Sequence, residues 1–418
     1  MQQKLFIEHR KNMLNLMEDN SILIEFNRPI INDGAIFNYK YDENRNYFYL
    51  TGLFEYENIV ILQKINGIES SLILINQYDE LKAKWVGAPL SKEEVSKISG
   101  INNVRYLDSY NSLINQYSKI IKNIYLDFIP NNSNKLNDEE ILAKELKNHY
   151  PWLNILNSRP LFTKLRTIKN EEEINQIRKA ISITNEGIKN ILAHINPLYE
   201  YQLESYFDQA IKYNGATGYA FPTIAASGAN ACCLHYMDNN SKASNGDLIL
   251  FDLGASYNMY CSDISRTFPI NGKFSKRQKE IYNIVLKGQE HVFNFIKPGI
   301  TTKELNQILI EYYQVELKKI GLIKEGTKEE VLKYYYHGVS HHIGLDCHDL
   351  CEYIPLKAGC IISNEPGLYI EEENIGIRIE DDVLVTETGA EWLSKDILKT
   401  VDDIEIFIKE NKKWIKQF

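Results

Sequence analysis

No apolar run in this 418-residue sequence approaches the roughly 20 residues that a membrane-spanning helix needs, so no membrane association is expected. Cysteine is scarce. The six present (Cys232, Cys233, Cys261, Cys347, Cys351, Cys360) follow no disulfide-framework or zinc-finger spacing, and reduced thiols in a cytoplasmic protein are the expectation. The opening stretch MQQKLFIEHRKNMLN has no long apolar core followed by a small-residue cleavage site, so no signal peptide is read there. Positive charge is outweighed. With 47 Lys and Arg against 56 Asp and Glu the formal net charge is −9, which argues against a nucleic-acid partner or an anionic membrane surface. Short-period repeats and low-complexity tracts are lacking too. What is present, 44% apolar and 25% charged residues, is the balance of a soluble globular protein with length enough for two domains.

The chain changes character near residues 158–166, which sets the expected domains at 1–160 and 161–418. In the first, ILIEF (22–26), FYLTG (48–52), NIVILQK (58–64), SLILINQ (71–77) and IKNIYLDF (121–128) read as strands, and Ser91 with Glu94 opens a helix through a capping box. A mixed-sheet α/β domain is expected. In the second, Asn170 with Glu173 precedes Ile174, Ile177, Ile181 and Ile188, spaced for one helical face. Ser275 with Gln278, Thr301 with Glu304 and Thr327 with Glu330 repeat the device, and Gly321 stands where a glycine would end the Thr301 helix.

Chemistry concentrates in the second domain. LILFDL carries Asp252 on an apolar strand, and MYCSDISRTF carries Asp263. A hairpin turning at Tyr257-Asn258 would set the two acids directly across an antiparallel pair. Further on, ISNEPGLYI carries Glu365 and IGIRIEDDVLV carries Glu380, and a turn through Glu371–Asn374 would oppose these two as well. A single buried acid is more often a cap or an ion-pair partner, but facing carboxylates repel unless a cation lies between them. Between the hairpins, YYYHGVSHHIGLDCHDL holds His337, His341, His342 and His348, four of the nine histidines. Beside four strand carboxylates, such a cluster favours one imidazole ligand with neighbouring histidines contacting substrate. Carboxylates with a histidine suit two divalent cations, Mn²⁺ first, with Co²⁺ or Zn²⁺ compatible. Cys261 and Cys347 lie close by, but thiolate ligation is not expected.

The ordered set Asp252, Asp263, His341, Glu365 and Glu380 resembles the metal ligands of the pita-bread metallopeptidases, family M24, which include methionine aminopeptidase, Xaa-Pro aminopeptidase (aminopeptidase P) and Xaa-Pro dipeptidase. The strings SGANACCLHY, SDISRTFPINGKFS, HGVSHHIGLDCHD, NEPGLYI and GIRIEDDVLV are similar to those of the aminopeptidase P branch, and YFYLTG and KWVG resemble its N-terminal domain. The resemblance implies an α+β C-terminal catalytic domain of pseudo-twofold symmetry and an N-terminal domain that controls access and supports a homodimer or larger homo-oligomer. It makes Asp252 a ligand of one metal, Asp263 and Glu380 bridges, and His341 and Glu365 ligands of the other, with Glu365 also the proton shuttle. His235 and His348 correspond to active-site histidines that contact substrate, Arg378 to an anchor for ligand carboxylates or substrate, and Trp85 to a residue reaching a neighbouring subunit.

The implied activity is removal of an N-terminal residue that precedes proline, with peptides bearing proline in second place as substrates. Departures exist at His342, where an aromatic is common, and at Leu350-Cys351. The segment between His348 and Glu365 is short and lacks the arginine by which dipeptidases hold a product carboxylate, which favours peptides over dipeptides. A dipeptidase with the same site remains the nearest rival, and a non-catalytic binding protein on the same fold the rival of another class.

Overall fold

Strands rich in Ile and Leu build one sheet in the N-terminal half. The computed structural model describes residues 3–27, 44–55, 57–129, 136, 138–352 and 355–412, which divide into two units, Met1–Leu165 and Arg166–Phe418. In the first, β1 (Ser21–Phe26), β2 (Ile59–Ile65), β3 (Ile68–Ile75), β4 (Val104–Tyr106), β5 (Asn123–Leu126) and β6 (Asn154–Asn157) lie in the order β4-β3-β2-β1-β5-β6. The β1–β2 and β2–β3 pairs are antiparallel and the outer three pairs parallel, so the sheet is mixed. Ile22, Ile24, Ile61, Leu72, Leu74, Ile124 and Leu126 pack on one face against Leu113, Ile114 and Tyr117. Leu23, Leu62 and Ile73 on alternate positions are equally buried, so both faces are covered.

FYLTG is not a strand. Arg45–Thr51 is a helix, with the Asn44 side chain accepting from the amides of Asn46 and Tyr47 and Gly52 ending it at φ 71°. Residues 46–51 are all buried. An apolar run this short carries no readable period, and the caps at its two ends decide its form.

The second unit begins with the Glu171–His194 helix, whose Asn170–Glu173 capping box forms as the sequence indicates. The boxes at Ser275, Thr301 and Thr327 form likewise, and Gly321 takes φ 71° two residues beyond Lys319. Strands β7 (Gly218–Tyr219), β8 (Ile224–Ser227), β9 (Leu248–Leu253), β10 (Ala255–Tyr257), β11 (Tyr260–Cys261) and β12 (Ile264–Pro269) supply the sheets β12-β9-β8 and β11-β10-β7. Strands β13 (Ile361–Asn364), β14 (Gly367–Ile370), β15 (Ile375–Arg378), β16 (Asp381–Val385) and β17 (Ala390–Trp392) form β13-β16-β17 and β14-β15. No helix among the described residues is long and apolar enough to cross a membrane.

Candidate metal centre

Each acid hairpin is a two-ladder structure with a break; Asp263, Glu365 and Glu380 stand at the breaks, and Asp252 stands in the ladder beside the first of them. In the first, the turn falls on Asn258-Met259, both at positive φ (48° and 67°), as a two-residue type I′ turn requires. The register is therefore displaced from the expected one: Asp252 faces Ser265, and Asp263 lies between the ladders beside Gly254. A Cβ on Gly254 would come 1.9 Å from the Ser262 carbonyl oxygen, so the close approach that seats Asp263 needs glycine. The second hairpin has the expected register. Its two ladders pair Gly367 with Arg378 and Asn364 with Asp381, leaving Glu365 and Glu380 opposed in the gap. The two hairpins join where the Glu380 amide donates to the Ser265 carbonyl at 3.0 Å and Thr267 bonds the backbone of Arg378.

One cavity of about 310 Å³ collects the result: Asp252, Asp263, His341, Glu365 and Glu380 line it together with His235, His337, His348 and Arg378. His341 Nε2 lies 3.3 Å from Asp263, 3.4 Å from Glu365 and 3.8 Å from Glu380. His342, next along the strand-like segment, turns away and is buried, and burial lowers its pKa to about 4. His348 stacks on His341 at 3.9 Å between ring centres. Its neighbour Asp349 is buried and paired with Arg166 and Lys169, which holds the His348 segment in place.

Ser265, Ser363, Tyr369 and Glu200 had no signal in the sequence, and neither did the partners that Cys347, His337 and Arg378 find. Ser265 donates to Glu380 at 2.7 Å and Ser363 to Glu365 at 3.1 Å. Cys347 donates to Asp263 at 2.8 Å. His337 pairs through Nε2 with the Tyr369 hydroxyl at 2.8 Å. Arg378 donates to Asp252 at 2.5 Å, to Ser265 at 2.7 Å and to Tyr369 at 3.1 Å, so each guanidinium nitrogen has a partner. The buried Glu200 accepts from Ser227, Asn230, Tyr236 and Ser241, pinning the loop that carries the exposed His235.

The electrostatics say what this cavity is short of. Burial raises Asp252 to about 6 against the pull of Arg378, and raises Glu365 to about 7 against His341 and Arg378. Burial and the charges of Asp263 and Glu365 drive Glu380 well above the usual carboxylate range. Burial works upward on Asp263 too, but its bond to His341 and that ring's charge leave it below its ordinary value. His341, whose burial alone would depress it, is lifted to about 9 by Asp263 and Glu365. Asp252 Oδ1, Asp263 Oδ1 and Glu380 Oε1 are buried without a hydrogen-bond partner. Unsatisfied buried carboxylate oxygens are costly unless a cation meets them. Asp263, His341 and Glu380 can each offer a ligand atom within 4.8 Å of the others. Oxygen donors with one imidazole match divalent metals, and the residues fit them.

Residues 175–387 match the model of metallopeptidase family M24, and residues 6–125 match that of the aminopeptidase P N-terminal domain. The chain is 30% identical over 436 residues to the Xaa-Pro aminopeptidase of Escherichia coli strain K12, covering 98% of each. A Bacillus anthracis structure provisionally described as an aminopeptidase P superposes with a TM-score of 0.96 at 44% identity, over 99% of both chains. A zinc-substituted E. coli aminopeptidase P in complex with product gives 0.90 at 28% identity, over 99% of this chain and 100% of that one. The chain belongs to metallopeptidase family M24, and its second unit is the pita-bread fold of that family. With both the M24 and the N-terminal models matched, its place is in the aminopeptidase P branch, which makes it a metal-dependent aminopeptidase, a hydrolase.

Proposed function

We propose that this enzyme removes the first residue of peptides whose second residue is proline, and that Asp252, Asp263, His341, Glu365 and Glu380 are the residues that would hold two divalent cations for that reaction. The observation that carries the reading is the convergence of three unpartnered buried carboxylate oxygens with His341 in one cavity. Mn²⁺ is the cation proposed, and Co²⁺ or Zn²⁺ suits the same donors. When bound, such a pair supplies a water acidified toward neutrality and Lewis acidity for the scissile carbonyl.

The chain's own groups do the rest. Glu365, which lines the cavity and accepts from Ser363 at 3.1 Å, would take a proton from the attacking water and pass it to the proline nitrogen. His348 lines the cavity stacked on His341, from where its ring offers an N–H to the oxyanion that forms at the carbonyl. His235 lines the same cavity and contacts the substrate backbone. Arg378, with its three nitrogens already engaged, we assign to holding Asp252 rather than gripping substrate.

The first unit, residues 1–160 in the sequence reading, would restrict access and support a homodimer or larger assembly of a cytoplasmic protein. In support, Trp85 is 76% exposed on a helix (Glu80–Val86) that buries no side chain, which does not suit a core tryptophan. A monomer by light scattering would remove the assembly.

The test of the activity compares Ala-Pro with Ala-Pro-Ala in Mn²⁺, alongside a count of metals per chain. The tripeptide is expected to be cleaved with the higher kcat/KM and Ala-Ala-Ala poorly. A strong preference for Ala-Pro would make the enzyme a dipeptidase.

A further inference from the structure

We propose that Cys347, His341 and His348 form a second cation site, selective for thiophilic metals, that competes with the carboxylate centre for the His341 imidazole. Ligand atoms of these three side chains lie within 4.8 Å of one another, and so, separately, do those of Asp263, His341 and Glu380. His341 belongs to both sets; its Nδ1 is paired with the His342 carbonyl oxygen at 3.2 Å, which leaves Nε2, the nitrogen that faces the carboxylates, to serve one cation at a time. Zinc at its usual ~2.0–2.3 Å from nitrogen and sulfur needs ligand atoms about 3.5 Å apart, so the Cys347 set closes on a cation once the exposed His348 ring, stacked on His341 at 3.9 Å, tilts to turn its lone pair toward the shared ion.

The two sets differ in kind. Asp263 and Glu380 offer hard oxygens, whereas Cys347 with two imidazoles offers one sulfur and two nitrogens, the donors preferred by Zn²⁺, Cd²⁺ and Cu⁺ over Mn²⁺. The thiol stands at the border between them, its hydrogen directed at Asp263 Oδ2. Cys347 is half-buried and His348 exposed, which leaves the set reachable from solvent. On binding, the S–H bond breaks, a sulfur–metal bond forms and the proton leaves to water; no electron moves. Asp263 loses the Cys347 donor, and His341 turns from the carboxylates to the soft ion. Thiophilic ions therefore inhibit through a site of their own. That inhibitory half rests on the function proposed above; the binding half does not.

Titration of the metal-free protein with Cd²⁺ reads the site directly through thiolate-to-cadmium absorption in the ultraviolet. One equivalent is expected to develop the band in the wild type. In Cys347→Val and His348→Ala the binding should weaken by about tenfold or more, since disturbing even an outer partner of a metal ligand typically costs 10–100-fold. Cys347→Ser, which keeps a donor toward Asp263, is the companion variant and must lose the band as well. A band of wild-type strength and affinity in Cys347→Val would place the bound ion on another cysteine and overturn the proposal. In the Mn²⁺-supplied enzyme, the Cd²⁺ needed for half-inhibition, relative to each protein's own uninhibited rate, should rise about tenfold or more in Cys347→Val. Equal sensitivity of the two proteins would overturn the competition.

Discussion

Glu200→Gln is the substitution through which the active-site loop can best be interrogated without touching the cavity. Glu200 is fully buried. One of its oxygens accepts from the Ser227 amide and hydroxyl at 2.7 Å each and from Asn230 at 3.0 Å; the other accepts from Tyr236 at 2.9 Å and the Ser241 amide at 2.8 Å. These bonds close both ends of the segment that presents His235. A glutamine puts an NH₂ where one oxygen stood. In one orientation it faces the Ser227 amide, in the other the Ser241 amide, and a backbone N–H cannot reverse its role as Tyr236 or Ser227 hydroxyls can. At least one backbone donor is orphaned, costing about 1–3 kcal/mol, and the remaining bonds lose their charge assistance. About 2 kcal/mol of local opening energy is the expected loss, which lowers the protection of amides in the 227–241 segment roughly 30-fold. Hydrogen–deuterium exchange of peptides covering that segment measures it, with metal content unchanged and kcat reduced because His235 is less often in place. Protection within about twofold of wild type would mean that the carboxylate does not hold the loop and would refute the reasoning.

Glu380→Ala removes a carboxylate that faces both Asp263 and Glu365 across the cavity, and elemental analysis should find the bound metal lost together with activity; full occupancy would dismiss the proposed ligand set. His348→Ala should keep its metal yet lose rate by roughly 10²–10³, the size of one missing transition-state donor, and unchanged turnover would return His348 to a surface role. Gly254→Ala forces a methyl to 1.9 Å from the Ser262 carbonyl, so the segment bearing Asp263 must shift. A cost of about 1–3 kcal/mol is expected from such overpacking, read as a lowered thermal midpoint, and an unaltered midpoint would contradict the close approach described.

Local chemistry in the sequence was enough for the features that depend on neighbours a few residues apart. The capping boxes at Asn170, Ser275, Thr301 and Thr327 are i to i+3 contacts, and all four form. The Glu365–Glu380 register follows from a turn whose residues lie between the strands it joins. The same reasoning set the Asp252–Asp263 hairpin one residue too early at its turn, because Asn258 and Met259 both adopt positive φ, and methionine gives no warning of that. Residues 45–51 took helix rather than strand form because Asn44 and Gly52 cap a run whose aromatic residues read equally well as strand. What only tertiary structure decided is which distant groups meet. Arg378 reaches Asp252 from 126 positions away, Cys347 reaches Asp263 from 84, and Glu200 gathers donors from Ser227 to Ser241. A carboxylate's partners and its proton affinity are set by the cavity into which it is buried, and burial at that depth is a property of packed hairpins, which no stretch of sequence possesses alone.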